Sequence, residues 1–502
     1  MELTFEEITA SAGGLVAGGR PGGPAAVTGL STDTRTIAAG DVFVALRGER
    51  FDGHDHLARA ADAGAALLIV EHGHSAAADP EATAEARGGA VLAVPDTLEA
   101  LGRIARAWRR KFPDLPVAAI VGSSGKTTPT EMLADITAAH LSPTLVTPGN
   151  LNNRVGLPQT LARLTADHRA AVLELGMNQP GEAAALIDTA EPGLVCLTNI
   201  RDAHVGMFGG LEALYRGECE SLEHAPPGAR FLLNADDELS RRARHEVLGG
   251  KDADAVSLFS VAREAAIGAG ADPAEISVWA EDIVPRAPYG YDFVLRFRDS
   301  DEAGTGAAAA HPVSLHVFGR HNVANAAAAA GVARWLGITP RAIAAGLTAF
   351  RPRLNRSEVE EVHGWWVLKD YYNAVPSAVK SALASMVDFH LPTGGRRFAV
   401  LGDMRELGDL EAEAHRDVGR AAAAAGLERL VCVGDRAAMI REAAAAAGMA
   451  DRAEHVADVT AAADRVSDLI RPGDLLLIKG SRLMALERVY DLLTGNDSGD
   501  GH

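Results

Sequence analysis

The sharpest local pattern in the chain is Pro116-Val117-Ala118-Ala119-Ile120-Val121-Gly122-Ser123-Ser124-Gly125-Lys126-Thr127-Thr128. Its first six residues form a compact apolar run that predicts a buried strand, and a helical pattern begins near Thr130. The glycines between them let backbone amides turn towards phosphate oxygens, and the helix N-terminus adds a positive dipole. The Lys126 ammonium can neutralise phosphate charge, and a threonine hydroxyl suits Mg²⁺. The stretch therefore predicts a phosphate-binding loop between a strand and a helix.

The loop has the shorter G-x-x-G-K-T form, because Ile120 stands where the first glycine of the common eight-residue pattern belongs. A chance match is the alternative in a chain of this length. The strand before the loop and the helix after it favour a true phosphate site. The residues that we assign to phosphate binding are Gly122, Ser123, Ser124, Gly125, Lys126, Thr127 and Thr128.

Strand-like apolar runs recur on both sides of this loop, with helical patterns between them. After the loop they lie at residues 170–175, 193–199, 230–234, 397–401, 429–433 and 474–478, and before it at 42–46 and 65–70. Alternation of strands and helices indicates mostly parallel sheets with helices on both faces. Residues 13–24, which are rich in Gly and Pro, are expected to form a loop, and residues 262–312 are expected to be irregular.

These patterns predict an α/β fold with three domains. Residues 1–112 are expected to form a small N-terminal α/β domain. Residues 113–350 are expected to form a central, doubly wound and mostly parallel sheet that carries the P-loop, and residues 351–502 a Rossmann-like C-terminal α/β domain.

Composition and charge exclude several classes of function. The formal net charge of −19 argues against a nucleic-acid partner, because such binding depends on neutralising phosphates with Lys and Arg. No apolar run approaches the roughly 20 residues that cross a bilayer, and the acidic start of the chain is unlike a basic signal peptide. We therefore expect a cytoplasmic protein without membrane insertion. The three cysteines lie far apart and are expected to be ordinary thiols.

Two polar residues at predicted strand ends can complete a metal and nucleotide site. Glu174 ends one strand-like run, and His204 follows another. Ligands of doubly wound sheets gather at the carboxyl ends of the strands, so both side chains could point towards the phosphate loop. The alternative is a surface carboxylate and a loop histidine whose hydrogen bonds are satisfied locally.

Several segments in the same order resemble the Mur ligases of peptidoglycan synthesis over nearly the whole chain. In the central stretch they are the phosphate loop, residues 147–153 (TPGNLNN), Glu174-Leu175-Gly176, Ala203-His204 and residues 319–325 (GRHNVAN), which are similar to the adenine-side motif of the family. In the N-terminal stretch residues 31–35 (STDTR), 40–46 (GDVFVAL) and 51–54 (FDGH) look like segments that hold a UDP-sugar.

The C-terminal segments resemble the member of that family that adds D-alanyl-D-alanine. They are residues 370–376 (DYYNAVP), 401–408 (LGDMRELG) and 479–482 (KGSR). The K-G-H-E and D-N-P-R patterns of the sister enzyme that adds the third peptide residue are absent from the sequence. The chain departs from the pattern at Val375, where asparagine is usual, and at Tyr371, where a small residue is commoner, so the shape of the amine site is left open.

The resemblance implies an ATP-dependent ligase that uses Mg²⁺ and acts as a monomer. Its substrates would be UDP-MurNAc-tripeptide, whose carboxylate becomes an acyl phosphate, and D-alanyl-D-alanine, whose amine attacks it. Phosphoryl transfer depends mainly on positioning and charge neutralisation. The catalytic residues would be Lys126, Glu174, His204 and Arg356. The nucleotide would be bound by residues 122–128, Asn322, Asn325, Arg356 and Asp370. The residues that contact the other substrates would be Ser31, Asp33, Arg35, Asp52, Gly53, His54, Asn150, Asn153, Tyr372 and Asn373.

The resemblance also points to a residue that differs. Members of the family commonly carry a lysine after the F-G segment that follows the metal histidine, and CO₂ converts that lysine to a carbamate that helps to hold Mg²⁺. Counting from Phe208-Gly209 without gaps places Glu218 there. A glutamate already carries the hard anionic oxygens that Mg²⁺ accepts. The implied metal residues are thus Thr127, Glu174, His204 and Glu218, and the alternative for Glu218 is a solvated helix carboxylate beside Glu220.

Two other functions remain open at this level. One is a ligase of the same family that uses another amino acid or acceptor, and the other is a nucleotide-binding relative without catalytic activity. The presence of Lys126, Glu174 and His204 argues against the inactive relative. Arg356 likewise has an alternative, which is a surface salt bridge.

Overall fold

The computed structural model describes residues 1–19, 26–48, 51–73, 89–202, 205–299, 309–353 and 356–495. They form three sheets, each flanked by helices, which confirms the predicted α/β class with mostly parallel strands. The boundaries that we predict at 112/113 and 350/351 stay predictions. Within the described ranges, no helix combines the length and the apolar character that a bilayer crossing requires.

The N-terminal sheet has the strand order β1-β5-β4-β3-β2, and only the β1–β5 pair is antiparallel. Its strands are β1 (Leu15–Gly19), β2 (Leu30–Ser31), β3 (Val42–Val44), β4 (Leu67–Glu71) and β5 (Ala90–Val94). The accompanying helices are α1 (Phe5–Ala12), α2 (Leu57–Asp62) and α3 (Thr97–Arg109). The expectation of a loop over residues 13–24 is wrong at its start, because residues 15–19 pair with β5 as an edge strand. Residues 20–24 lie outside the described ranges.

The central sheet has the order β14-β13-β12-β11-β10-β9-β6-β8-β7. Its strands are β6 (Val117–Val121), β7 (Thr144–Val146), β8 (Ala170–Glu174), β9 (Leu194–Leu197), β10 (Arg230–Asn234), β11 (Val256–Ser260), β12 (Ile276–Pro285), β13 (Tyr291–Phe297) and β14 (Ala310–Leu315). The helices are α4 (Thr127–His140), α5 (Gly156–Leu161), α6 (Glu182–Ala190), α7 (Val205–Phe208), α8 (Leu211–Glu223), α9 (Glu238–Glu246), α10 (Arg263–Gly268), α11 (His321–Trp335) and α12 (Pro340–Ala349).

The expectation that residues 262–312 are irregular is wrong for most of the segment. Strands β12, β13 and β14 form an antiparallel extension of the central sheet. In β13, Tyr291, Phe293, Leu295 and Phe297 are buried, and the residues between them are less so. This period-two alternation is the ordinary signal of a strand with one buried face, so the sequence contained the information.

The C-terminal sheet has the order β15-β16-β20-β17-β18-β19, and all pairs except β15–β16 are parallel. Its strands are β15 (Glu358–Val362), β16 (Trp365–Lys369), β17 (Arg397–Gly402), β18 (Arg429–Val433), β19 (Ala453–Val456) and β20 (Leu475–Lys479). The helices are α13 (Pro376–Ser385), α14 (Glu411–Ala424), α15 (Ala437–Ala444), α16 (Val459–Ser467) and α17 (Glu487–Thr494).

The N-terminal and central sheets share one hydrophobic core, which runs through helix α3. Leu101 and Ile104 of α3 belong to the same buried cluster as Leu161 of α5 and Ile187 of α6. The Trp108 indole at the end of α3 donates a hydrogen bond to the Leu164 carbonyl at 3.3 Å. Burial of this apolar surface therefore joins the two sheets into one packed unit.

The C-terminal sheet meets the central one through aromatic packing, in which Tyr289 stacks on Phe389 with 6.0 Å between the ring centres, and through polar and backbone contacts. The Ser377 amide at the start of α13 donates to Asp202 Oδ2 at 3.1 Å, and the Tyr291 hydroxyl donates to Asp388 Oδ2 at 2.6 Å. Gly206 faces Gly408 so closely that a Cβ atom on Gly206 would lie 2.3 Å from the Gly408 nitrogen. The contact between the two domains therefore leaves no space for a side chain at Gly206.

Candidate active site

A cleft of about 560 Å³ lies between the carboxyl edge of the central sheet and the C-terminal domain. Strands β9 and β8 flank β6 in parallel, so the three strands end at the same edge. The loop after β6, the residues after β8 and β9, and the segment around Asp370 therefore face one cavity. In doubly wound sheets this edge is where ligands bind.

Two glycines of the predicted phosphate loop are required by its shape. Gly122 has φ +120° and Gly125 has φ +72°, a region that favours glycine. A Cβ atom on Gly122 would lie 2.5 Å from Thr198 Oγ1, and one on Gly125 would lie 2.8 Å from Asn325 Oδ1. The loop thus has the tight turn and the helix start after it that the sequence predicts.

Asn199, at the end of β9, fixes this loop and was missed by the sequence analysis. Its Oδ1 accepts from the Ser124 hydroxyl at 3.0 Å, and its Nδ2 donates to the Ser124 carbonyl at 2.9 Å. The neighbouring Thr198 hydroxyl donates to the same carbonyl at 2.8 Å. The available signal was a pair of polar residues directly after a buried strand next to β6.

The Lys126 ammonium lies over its own loop. It donates to the Gly122 carbonyl and, at 3.4 Å, to the Ser123 carbonyl. Both acceptors are neutral backbone groups. A phosphate oxygen is a stronger acceptor for an ammonium group, so this lysine is placed to exchange these contacts for phosphate ones.

Glu174, at the end of β8, is buried beside the loop. Its Oε1 accepts from the Thr127 hydroxyl at 3.2 Å and from Asn152 Nδ2 at 2.8 Å. Its backbone amide donates to Thr147 Oγ1 at 2.9 Å. A buried carboxylate that is met by neutral donors, with a threonine hydroxyl beside it, is a set of hard oxygen ligands that suits Mg²⁺. The surface-carboxylate alternative for Glu174 is wrong, since only 4% of the residue is exposed.

Glu218 lies beneath the phosphate loop. It is 3% exposed, and its Oε1 accepts from the Ser123 hydroxyl at 2.9 Å. The alternative of a solvated helix carboxylate is therefore wrong. Glu220, by contrast, accepts from the Gly181 amide at 2.9 Å and the Ala184 amide at 3.4 Å at the start of α6, so it caps that helix.

The remaining predicted metal residue, His204, lies outside the described ranges. Among the residues that the structure describes, no three His, Cys, Asp or Glu side chains form a group with metal-ligand spacing. Thr127 and Glu174 are the predicted metal residues that directly contact each other.

The residues of the adenine-side motif are buried at the start of α11. Asn325 Nδ2 donates to Asn322 Oδ1 at 2.7 Å, and Asn322 Nδ2 donates to the Phe318 carbonyl at 2.6 Å. The adjacent His321 lines the cleft and is exposed to it.

The C-terminal domain contributes a connected group of side chains to the cleft. The Arg356 guanidinium lies 3.9 Å from the centre of the Tyr372 ring. Asp370 Oδ1 accepts from the Ser357 amide at 3.2 Å, and its Oδ2 accepts from Lys479 Nζ at 2.6 Å. Lys479, to which the sequence analysis gave no role, also donates to the Asn373 carbonyl at 3.0 Å. This lysine therefore fixes the segment of residues 370–373.

Val375 and Tyr371, the two residues that depart from the family pattern, lie in different surroundings. Val375 lines the cleft beside Tyr372 and Asn373. Tyr371 is 3% exposed and packs in the core on the other side of the segment, where burial raises its pKa strongly. Of the two, only Val375 can alter the shape of the amine site directly.

The predicted UDP-sugar residues form two groups in the N-terminal domain. In the first, Asp33 accepts from Arg35 Nη2 at 2.6 Å, and this hydrogen bond lowers the pKa of Asp33 to about 2. The Ser31 hydroxyl donates to the Asp33 carbonyl at 3.0 Å. Thr32 Oγ1 accepts from Gln159 Nε2 at 2.9 Å, which joins this turn to α5 of the central domain.

The second group contains Asp52, Gly53 and His54. Asp52 Oδ1 contacts His54 Nδ1 at 2.6 Å, and His54 Nε2 accepts from the Glu71 amide at 3.0 Å. His54 is 1% exposed, so it holds this turn in place instead of facing solvent. Neither group lines the main cleft, whereas Asn150 and Asn153, just before α5, do. Asn153 Oδ1 also accepts from the Gly156 amide at 2.9 Å.

Three protein-family profiles match the chain in succession. They are the Mur ligase family catalytic domain over residues 26–109, the Mur ligase middle domain over residues 120–333, and the Mur ligase glutamate ligase domain over residues 353–482.

Individual relatives match over nearly the whole chain. The UDP-N-acetylmuramoyl-tripeptide–D-alanyl-D-alanine ligase of Escherichia coli is 33% identical over 499 residues, which are 99% of each chain. The crystal structure of MurF from Acinetobacter baumannii superposes with a TM-score of 0.83 at 29% identity and 99% coverage of both chains. That of MurF from Thermotoga maritima in complex with ADP gives 0.76 at 25% identity, with 93% of this chain and 97% of that one covered.

Proposed function

The chain belongs to the Mur ligase family, and from that premise we propose that it is the ATP-dependent ligase that adds D-alanyl-D-alanine to UDP-N-acetylmuramoyl-tripeptide in peptidoglycan synthesis. The observation that carries the proposal is the cleft itself. It places the phosphate loop and Glu174 of the central domain opposite Arg356, Asp370 and Tyr372 of the C-terminal domain. Since ATP and a UDP-linked precursor are the proposed substrates, the reaction belongs to the cytoplasmic stage of that pathway.

The reaction has two steps that the cleft can support. The tripeptide carboxylate attacks the terminal phosphate of ATP to give an acyl phosphate and ADP, and the dipeptide amine then displaces inorganic phosphate to form the amide. Neither step requires a covalent bond to the protein, so the residues act by positioning and charge neutralisation. Lys126 and the amides of residues 122–128 bind the phosphates, and Arg356 neutralises charge from the opposite wall of the cleft.

The oxygen ligands beside the loop fit a Mg²⁺ ion. Glu174 and Thr127 would hold it, and we assign His204 and Glu218 to the same site. When bound, Mg²⁺ supplies neutralisation of the phosphate charge. Asn152 keeps the Glu174 carboxylate in place by donating to its Oε1 at 2.8 Å.

The UDP-linked precursor and the amine substrate bind at the two ends of the group of residues that binds ATP and Mg²⁺. The turns around Asp33 and Asp52 hold the UDP-sugar of the precursor, and Asn150 and Asn153 lie where its peptide enters the cleft. Tyr372 and Asn373 contact the amine substrate, with Val375 as an apolar part of the same wall.

The direct test is phosphate release from ATP with the purified chain. We expect release only when UDP-MurNAc-tripeptide and D-alanyl-D-alanine are both present, with a product whose mass equals the tripeptide precursor plus the dipeptide minus water. Release with a different amine but not with D-alanyl-D-alanine would instead identify a ligase of other specificity. Absence of release with every pair of precursor and amine would identify the inactive relative.

Glu218 gives a prediction about the metal. We expect wild-type activity to be independent of added bicarbonate, because a glutamate needs no CO₂ to carry its anionic oxygens. We expect Glu218→Gln to raise the Mg²⁺ concentration for half-maximal activity by about tenfold to a hundredfold. The amide keeps an oxygen that can accept from Ser123 Oγ but loses the charge. The measurement is a Mg²⁺ titration of initial rates.

The matched control for that titration is Glu220→Gln on the same helix. This carboxylate caps α6, so its loss should lower stability by about 1 kcal/mol and leave the Mg²⁺ requirement unchanged. An unchanged Mg²⁺ titration in Glu218→Gln would remove Glu218 from the metal site.

A further inference from the structure

Arg201 lies on the loop that follows β9 and lines the same cleft as Lys126 and Thr127. Neither the sequence patterns nor the resemblance to the family gives it a role. Its position and surroundings nevertheless suit a particular part of the proposed reaction, and the inference below rests on the proposed function.

The backbone of Arg201 is fixed against the phosphate loop. Its amide donates to Ser123 Oγ at 3.0 Å, and the preceding Ile200 amide donates to Asp237 Oδ2 at 3.1 Å. Asp237 is 6% exposed and caps α9 through the Ser240 amide at 3.0 Å. The start of the Arg201 side chain is therefore held beside the loop before any ligand binds.

The guanidinium of Arg201 has donors left for a ligand. Its side chain is 47% exposed, and within the described part of the chain its acidic contact is Asp237 Oδ1, 3.5 Å from Nε. That distance is at the limit of a hydrogen bond. The contact orients the guanidinium and does not neutralise it as a close, bidentate ion pair would.

The strand order places Arg201 and Glu174 on opposite sides of the loop. Strand β8, which ends in Glu174, lies on one side of β6, and β9, which leads to Arg201, lies on the other. A terminal phosphate above the loop would thus have a carboxylate-bound cation on one flank and a guanidinium on the other. In phosphoryl transfer, charge spreads over the equatorial oxygens, and a planar guanidinium can donate to two of them at once.

The other cations of the cleft are engaged in different ways. Among the described residues that line it, the Lys and Arg side chains are Lys126, Arg201, Arg356 and Lys479. Lys479 is paired with Asp370 at 2.6 Å, and Arg356 is stacked on Tyr372. Arg201 therefore joins Lys126 as a cation held directly beside the phosphate loop.

We propose that Arg201 binds the terminal phosphate of ATP and neutralises the phosphoryl group as it passes to the tripeptide carboxylate. The oxygen–phosphorus bond to ADP breaks, and the bond to the carboxylate oxygen forms while the guanidinium donates to the equatorial oxygens. No proton leaves Arg201, and its charge is the same before and after the step. Because ADP lacks that phosphate, Arg201 discriminates between ATP and ADP.

The test measures binding and turnover of two variants and a control. Arg201→Ala removes the cation, and Arg201→Lys keeps the charge without the planar fork. Arg416→Ala is the matched control, because Arg416 is 50% exposed, lies outside the cleft and makes a long contact with Glu413 at 3.8 Å. Calorimetry with Mg²⁺ gives the dissociation constants of a non-hydrolysable ATP analogue, of ADP and of UDP-MurNAc-tripeptide, and phosphate release gives kcat.

We expect Arg201→Ala to weaken binding of the ATP analogue by about tenfold and to lower kcat by about a hundredfold. The dissociation constants of ADP and of the UDP-linked precursor should stay unchanged. Arg201→Lys should fall between Arg201→Ala and wild type, and Arg416→Ala should match wild type. Arg201→Gln replaces Arg201→Ala if melting shows that the alanine variant does not fold.

Each other outcome overturns the proposal. If ADP and the ATP analogue lose affinity equally, Arg201 contacts the phosphates that both nucleotides carry. If only the UDP-linked precursor loses affinity, Arg201 contacts the diphosphate of that precursor. Unchanged nucleotide binding and kcat would remove it from the site. A wild-type chain that binds neither nucleotide would overturn the proposed function itself.

Discussion

We expect Lys126→Ala to lose at least about a thousandfold in turnover while the protein stays folded. The ammonium is the cation that the phosphate loop itself supplies, and its hydrogen bonds run to carbonyls of that loop. No core contact is lost, so the free energy of unfolding should change by less than about 0.5 kcal/mol. Phosphate release measures the first effect, and urea unfolding measures the second.

Lys251→Ala is the control for the loss of a lysine, since that residue is exposed and lies outside the cleft. It should match wild type in both measurements. Normal turnover in Lys126→Ala would contradict the assignment of residues 122–128 to phosphate binding. Loss of folding together with turnover would show that Lys126 has a structural role that its contacts do not explain.

The second large effect concerns Asp370 of the C-terminal domain. We expect Asp370→Ala to raise the KM for ATP, to lower kcat and to lower the free energy of unfolding by about 3 kcal/mol. The last effect arises because Lys479 is 3% exposed and would lose its carboxylate partner at 2.6 Å. The Ser357 amide, next to Arg356, would lose its acceptor as well.

A double variant separates the two consequences. Asp370→Ala combined with Lys479→Met removes the buried charge, so stability should return most of the way to that of wild type. Turnover should stay low, because the segment that carries Arg356 and Tyr372 is still unanchored. Asp388→Ala is a useful comparison, since it breaks a carboxylate contact between the central and C-terminal domains, with Tyr291, away from the cleft. If Asp370→Ala leaves both kcat and the KM for ATP unchanged, the segment does not act on the nucleotide.

The parts of the fold that the sequence predicted correctly are those with strong local patterns. Compact apolar runs gave β6, β8 and β10 within a residue of their observed ends. The failures have two causes. The glycines of residues 13–19 suggested a loop, yet pairing with β5 makes part of it a strand. In β13 the period-two alternation was present in the sequence and was not recognised.

The site shows the same division between local and tertiary information. The phosphate loop follows from spacing and context, and Glu174 from its position at a strand end. Asn199 carried the same strand-end signal and was overlooked. Arg201 and Lys479 could not be found that way, because their importance comes from contacts with segments distant in sequence, such as Ser123 for Arg201 and Asp370 for Lys479. Tyr371 is the reverse case. The sequence suggested that it could change the shape of the amine site, but the residue is buried in the core.

The hydrophobic core that runs through α3 limits how the domains can be exchanged. The N-terminal domain cannot be excised or exchanged as a self-contained cassette, because cutting near residue 112 would expose the apolar faces of α5 and α6 that α3 covers. The C-terminal domain is not fully independent either, because Tyr289 and Phe318 of the central domain pack on its Phe389. Chimaeras that exchange the C-terminal domain should therefore keep both sides of this aromatic contact matched, and those that alter the UDP-linked substrate should keep the first two domains together.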